Sequence, residues 1–118
     1  MVITYDDTTL FITIDDTVSL SPEALEKMIE DAKKETATYD MDTVVIKKES
    51  HGETSRYSYV AYDGVNITEK YLFNPEVFNH FKKKDQCENL WHGCEIPSTE
   101  GIYAFAKTYK AQEQSQLL

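Results

Sequence analysis

The sequence predicts an α+β domain in which an antiparallel sheet of about five strands carries its helices on one side. Three observations support this class. Stretches of β-branched and aromatic residues alternate with polar ones, two Ser-Pro or Asn-Pro pairs are typical of helix starts, and one Asp-Gly pair is typical of a tight hairpin. The predicted element order is ββαβββαα. With 118 residues the chain has the size of one domain, so we expect residues 1–118 to fold as a unit that frays from about residue 112.

The first two strands are predicted at residues 2–5 and 9–14, on either side of the short polar segment Asp6-Asp7-Thr8. Runs of β-branched and aromatic residues that flank such a segment are typical of a β-hairpin. Alternate side chains of a strand point to opposite faces. In the second strand, Leu10, Ile12 and Ile14 therefore share one face, and Phe11 lies on the other.

A helix is predicted at about residues 22–35, because Ser21-Pro22-Glu23 combines three features of a helix start. A serine hydroxyl can accept a hydrogen bond from a free N–H, proline suits the first helical position, and glutamate favours the positive end of the helix dipole. The apolar residues that follow have helical spacing, so we expect one face of the helix to pack on the sheet.

Three further strands are predicted at residues 43–48, 55–62 and 65–73. Asp63-Gly64 favours a type I′ turn, since both of its central residues need positive φ. A two-residue turn of this kind pairs Tyr62 with Val65.

The remaining elements are two helices joined by an irregular connection. Asn74-Pro75 predicts a short helix to about Lys84, and Ser98 predicts the start of the last helix. Residues 85–97 have no clear periodicity and contain Trp91, the only tryptophan.

Composition excludes several classes of function. The net charge is −9, and only one of the twelve basic residues is arginine, which disfavours binding to nucleic acid or anionic membranes. No apolar run approaches the roughly 20 residues that span a bilayer, and the first residues lack the features of a signal peptide. Two cysteines are too few for a disulfide framework. We therefore expect a cytoplasmic protein.

The negative charge is concentrated near the amino terminus. Residues 1–42 hold eleven acidic residues and three lysines, a net charge of −8, whereas residues 43–118 have a net charge of −1. A local negative field steers a cationic partner and raises its association rate. The alternative is that these acids only keep a small protein soluble. The sequence leaves both interpretations open.

The hypothesis that follows is a non-enzymatic protein-binding domain, an inhibitor or adaptor that occludes a basic surface of a larger protein, such as a groove that normally holds nucleic acid. Seven acidic residues are predicted to supply the field and two tyrosines to supply buried anchors. The predicted partner-binding residues are Asp6, Asp7, Asp15, Asp16, Glu23, Glu26, Glu30, Tyr57 and Tyr59. For the tyrosines the alternative is that a helix covers their face and both rings belong to the core.

In size, acidity and tyrosine content the chain is similar to inhibitors and adaptors that phages direct against host machinery, a similarity of composition alone. Two other functions stay open. One is a small enzyme or ligand-binding domain with its site around the loop Trp91–Cys94, and the other is a subunit that self-associates through its tyrosine-bearing face.

Neither a cofactor nor a metal is expected. His80, Cys87, His92 and Cys94 are the ligand types of a zinc site, but their spacing differs from that of structural zinc motifs. A nucleophile at Cys94 lacks a third residue that would orient its histidine, so we predict no catalytic residues. The pairs Asp6-Asp7 and Asp15-Asp16 lie beside predicted turns, where aspartate forms local hydrogen bonds.

Overall fold

A computed structural model describes residues 1–52, 54–72 and 99–116. Within these residues the element order is ββαβββα, an α+β fold. The strands are β1 (Val2–Tyr5), β2 (Thr9–Asp15), β3 (Asp42–His51), β4 (Thr54–Tyr62) and β5 (Ile67–Tyr71), and the helices are α1 (Pro22–Thr36) and α2 (Thr99–Gln116). The predicted helix at 74–84 and the connection at 85–97 lie outside the described residues. Neither described helix is long and apolar enough to cross a membrane.

The sheet is mixed, and the prediction of an antiparallel sheet is wrong at its centre. The strands follow the order β1-β2-β3-β4-β5, and β2 and β3 run parallel while the other neighbouring pairs are antiparallel. The cause is α1, which connects β2 to β3. Its 15 residues extend about 22 Å, close to the roughly 23 Å of the seven-residue strand β2. The helix thus returns the chain to the end of the sheet at which β2 began. Strand β3 starts there and runs in the same direction as β2.

The two described helices lie on opposite faces of the sheet, and the prediction that all helices lie on one side is wrong. Leu10, Ile12 and Ile14 pack with Leu25 of α1, whereas Phe11 packs with residues of α2. The physical reason is that β2 and β3 are apolar on both faces. A strand of this kind needs a cover on each side.

Helix α1 begins where the sequence predicts it. The Ser21 Oγ accepts a hydrogen bond from the Ala24 N–H at 3.2 Å, and Pro22 occupies the first helical turn. The helix ends at Thr36 and is capped by Ala37, which adopts a left-handed conformation with φ 55° and donates its N–H to the Lys33 carbonyl. The confirmed helix is one residue longer than predicted.

The turn between β4 and β5 has four residues instead of the predicted two. Tyr62 pairs with Ile67, so the register differs by two residues, and an even shift leaves the same residues on each face of the sheet. The Asp63 carboxylate stabilises the longer turn by accepting hydrogen bonds from the N–H groups of Val65 and Asn66 at 2.9 and 2.7 Å. This side-chain bonding lowers the pKa of Asp63 and favours the wider turn over the type I′ geometry.

Helix α2 packs across the other face through aromatic contacts. The rings of Phe11 and Tyr103 stack with centroids 4.8 Å apart, and those of Tyr59 and Tyr109 meet at 6.0 Å. Phe105 is fully buried between this helix and the sheet. The helix continues to Gln116, so residues 112–116 are helical where the sequence predicts fraying.

Polar contacts also attach α2 to the sheet. The Lys107 ammonium forms an ion pair with Asp6 at 3.2 Å and donates to the Thr8 hydroxyl at 2.8 Å. The Thr13 hydroxyl donates to the Tyr103 hydroxyl at 3.1 Å. Lys70 of β5 pairs with Glu113 near the end of the helix. These contacts fix the position of α2 along its length.

Candidate functional site

The eleven acidic residues of the first 42 are all exposed, but they do not form one patch. Asp6 and Asp7 lie in the turn between β1 and β2, while Asp15 and Asp16 lie at the opposite end of β2. The length of β2 separates the two pairs by about 20 Å. Charges are screened over about 8 Å at physiological ionic strength, so the two pairs act as separate groups.

One member of each aspartate pair stabilises a turn. The Asp6 carboxylate accepts hydrogen bonds from the N–H groups of Thr8 and Thr9, both at 2.8 Å. Asp15 accepts from the N–H of Thr17 at 3.0 Å and from the hydroxyl of the same residue. These hydrogen bonds lower the pKa of both aspartates. Asp6 and Asp15 therefore have structural roles that account for their positions.

The acidic residues of α1 lie on two different flanks of the helix. At 100° per residue, Glu23, Glu26 and Glu30 project on the side of α1 that faces Tyr62, whereas Asp31 and Glu35 project on the opposite side. Within the described part of the chain, none of these five carboxylates has a lysine or arginine nitrogen within 4 Å. The flank with Glu23, Glu26 and Glu30 is thus negative without internal neutralisation.

A groove of about 340 Å³ follows this negative flank, and we call it the α1 groove. Its lining is mainly apolar and includes two tyrosines and an isoleucine, together with two glutamates and one lysine of α1. The lining residues are Glu26, Ile29, Glu30, Lys33, Tyr39 and Tyr62. Tyr39 is 61% exposed, a large fraction for a tyrosine. The groove therefore combines an apolar floor with charges of both signs.

Tyr62 holds one of the glutamates in place. Its hydroxyl donates to Glu26 Oε1 at 2.7 Å and lies 3.0 Å from the Gly64 carbonyl oxygen. The hydrogen bond to Glu26 is the main reason that the pKa of Tyr62 rises to about 12. The Glu26 carboxylate keeps its second oxygen for another partner. This hydrogen bond restricts the Glu26 side chain before any ligand arrives, which reduces the entropic cost of binding.

A second cavity of about 310 Å³ adjoins the groove at the end of the sheet. The ladder between β3 and β4 stops at the pair Val45–Val60, so residues 42–44 have no partner on β4. Lys33 and Tyr62 line both this cavity and the α1 groove. Lys33 thus lies at the junction between them.

The walls of this cavity include groups from both faces of the sheet. The Lys110 ammonium of α2 donates to the Thr43 carbonyl oxygen at 3.1 Å and lies 4.0 Å from Asp42. The Thr43 hydroxyl is buried and has no hydrogen-bond partner in the described part of the chain. Burial raises the pKa of Tyr59 to about 12, and the charges of Glu113 and Asp42 add to the effect.

Tyr57 and Tyr59 lie on the same face, as predicted, and α2 covers that face. Tyr59 is 7% exposed and belongs to the core, and Tyr57 is half-buried against it. This arrangement matches the alternative in which a helix covers both rings. Neither tyrosine lines the α1 groove.

The zinc ligand set and the alternative site lie outside the described residues. These are His80, Cys87, His92 and Cys94, and the loop Trp91–Cys94. Among residues 1–52, 54–72 and 99–116, no three His, Cys, Asp or Glu side chains come close enough together to hold a metal ion.

Sequence reasoning missed Tyr39, Tyr62 and Lys33 as groove residues. Alternation along the predicted strand places Tyr62 on a face that we expect to be buried. Lys33 enters the sequence analysis only as one of the three lysines in residues 1–42. A signal for Tyr39 exists, because this tyrosine follows the end of α1 and is next to Asp40 in an acidic stretch. An aromatic residue there is exposed and close to carboxylates.

Comparison of the chain with protein-family models, with curated proteins and with solved structures gives no match.

Proposed function

We propose that this protein is a non-enzymatic, acidic protein-binding domain of the cytoplasm that binds lysine or arginine side chains of a larger partner in its α1 groove. The observation that carries the proposal is the arrangement of Glu26 and Glu30 beside the rings of Tyr39 and Tyr62. A cation over a tyrosine face is stabilised by the ring quadrupole, and a carboxylate nearby adds an ion pair. The groove offers both to the same side chain.

The anchors in this proposal differ from those predicted from the sequence. Tyr39 and Tyr62 replace Tyr57 and Tyr59, since the latter pair contributes to packing under α2. Glu23, Glu26 and Glu30 supply the local field. The aspartates at the two ends of β2 add to long-range attraction at low salt but do not contact the ligand. Binding covers a basic surface of the partner, so the domain acts as an inhibitor or adaptor, including where that surface otherwise contacts nucleic acid.

The test measures binding of a short peptide with two arginines, blocked at both ends, by nuclear magnetic resonance titration. The control peptide carries citrulline in place of arginine, which keeps the shape and removes the charge. We expect the arginine peptide to shift the signals of Glu26, Glu30, Tyr39 and Tyr62. The affinity should fall as salt rises, because the groove charges are exposed.

Two double variants separate the groove from general attraction. Glu26→Gln with Glu30→Gln should weaken binding about three- to tenfold, the range expected for the loss of two exposed ion pairs. Asp31→Asn with Glu35→Gln removes the same charge from the other flank of α1 and should change the affinity much less. Equal losses in the two variants, or shifts spread over every acidic residue, would contradict the proposal.

A further inference from the structure

The charged residues that line the α1 groove follow one another along α1, and the last of them has the opposite sign. Glu26 comes first, Glu30 lies just past the middle of the helix, and Lys33 lies three residues further on. The axial rise between these glutamates and Lys33 is about 5–10 Å, since each helical residue advances 1.5 Å. A ligand with a single positive charge pairs with the glutamates and leaves Lys33 without a counter-charge.

Lys33 is half-buried, and its ammonium has no carboxylate within 4 Å in the described part of the chain. This placement contrasts with that of Lys107 and Lys110, which lie within 4 Å of Asp6 and Asp42. An ammonium that lies beside an apolar floor and has no counter-charge favours an incoming anion. The neighbouring Lys34 is exposed and lines neither cavity, so it offers no comparable site.

We infer that the α1 groove binds the carboxyl terminus of a partner chain that ends in arginine or lysine. This inference rests on the proposed function and names the feature of the partner that the groove recognises. The cationic head of the last residue lies between Glu26 and Glu30, and its methylene stem crosses the apolar floor at Ile29 and Tyr62. The terminal carboxylate then reaches Lys33, which follows Glu30 along the helix.

The chemistry excludes the free amino acid as the preferred ligand. Free arginine carries an α-ammonium beside its carboxylate, and this second positive charge would lie close to Lys33. In a peptide the same nitrogen is a neutral amide. A carboxyl-terminal residue therefore presents one positive and one negative charge at the spacing that the groove provides.

The test compares two peptides, acetyl-Ala-Ala-Arg with a free carboxyl terminus and the same peptide with a terminal amide. General attraction to a protein of net charge −9 favours the amide, which carries one more positive charge. The inference requires the opposite order. We expect the free acid to bind about tenfold more tightly, the ratio typical of one charge-assisted hydrogen bond. Free arginine should bind more weakly than the free-acid peptide.

Lys33→Met should abolish the preference for the free acid, while Lys34→Met, with the same change of charge on the same helix, should keep it. If the amide binds as well as the acid, or if Lys34→Met has the same effect as Lys33→Met, the inference is wrong and the proposed function stands. If neither peptide binds and the blocked two-arginine peptide also fails, both are wrong. An unchanged thermal unfolding transition in each variant shows that the fold is intact.

Discussion

The two faces of the sheet differ in how their helices are attached. On the α2 face, aromatic stacking and ion pairs join the helix to the strands, with Lys107 bonded to Asp6 and Tyr103 bonded to Thr13. On the α1 face the packing is aliphatic, and Tyr62–Glu26 is a side-chain hydrogen bond between the helix and the sheet. The α1 carboxylates otherwise face solvent.

This difference separates structural charges from available ones. A charge that is paired across two elements stabilises their relative position and is already neutralised. Glu23 and Glu30 of α1 have no such ion pair within the described residues, and Glu26 accepts a hydrogen bond only from the neutral Tyr62 hydroxyl, so the negative charge of this flank is not neutralised. The comparison therefore assigns the α2 contacts to architecture and is consistent with our proposal that the α1 face binds a partner.

The largest effect expected is on the α2 face, from Phe105→Ala. Phe105 is fully buried between α2 and the sheet, so its truncation removes apolar contacts and leaves a cavity. We expect the free energy of unfolding to fall by about 3–5 kcal/mol, measured by chemical denaturation. Leu25→Ala is the matched change under α1 and should cost about 2–5 kcal/mol. A loss below about 1 kcal/mol at Phe105 would show that α2 does not cover this face as described.

A smaller effect is expected at the turn that α2 contacts. Asp6→Ala removes the acceptor for two N–H groups and the partner of Lys107. The expected loss is about 0.5–1.5 kcal/mol, the size of a lost turn or cap hydrogen bond. Asp7→Ala is the control, since Asp7 is the exposed neighbour in the same turn and should change stability by less than about 0.5 kcal/mol. Equal losses of stability at the two positions would contradict a specific structural role for Asp6.

The pH dependence of stability tests the same carboxylate. Hydrogen bonds from Thr8 and Thr9, together with Lys107, hold the pKa of Asp6 below its ordinary value of 3.8. A lowered pKa in the folded state means that ionised Asp6 stabilises the fold above about pH 4, and that this contribution disappears as the pH falls through the folded pKa. The stability difference between the wild type and Asp6→Asn should therefore shrink below pH 4. A difference that stays constant from pH 7 to pH 2 would contradict this assignment.

Most elements of the fold could be predicted because their signals are local. Ser21-Pro22 marks the start of α1, and alternation along β2 assigns its residues to the correct faces. The relation between elements could not be predicted in the same way. The parallel pairing of β2 and β3 follows from the length of α1, and the separation of the helices follows from Leu10-Phe11-Ile12 being apolar on both faces of β2. The length of α1 and the apolar run in β2 are both visible in the sequence. They predict the arrangement of the sheet only once β2 and β3 are known to be neighbours.

The candidate site was less predictable than the fold. The acidic first third is exposed, but the sequence does not show which acids stabilise turns and which remain free. Tyr59 and Tyr39 illustrate the limit. Tyr59 is buried because α2 covers it, and Tyr39 is exposed because it lies beyond the end of α1. Both environments depend on tertiary packing.

The smallest stability effect is expected on the outer flank of α1. Glu26→Gln with Glu30→Gln should change the free energy of unfolding by less than about 0.5 kcal/mol, because both side chains are exposed and neither is in an ion pair of the described residues. The amide oxygen introduced by Glu26→Gln would still accept the hydrogen bond from Tyr62. Denaturation of the double variant and the wild type at neutral pH measures the difference. A loss above about 1 kcal/mol would mean that these carboxylates serve the fold, and the division of the two faces into architecture and binding would fail. An unchanged stability combined with weaker binding of the arginine peptide would show that the α1 charges are dispensable for folding and required for recognition.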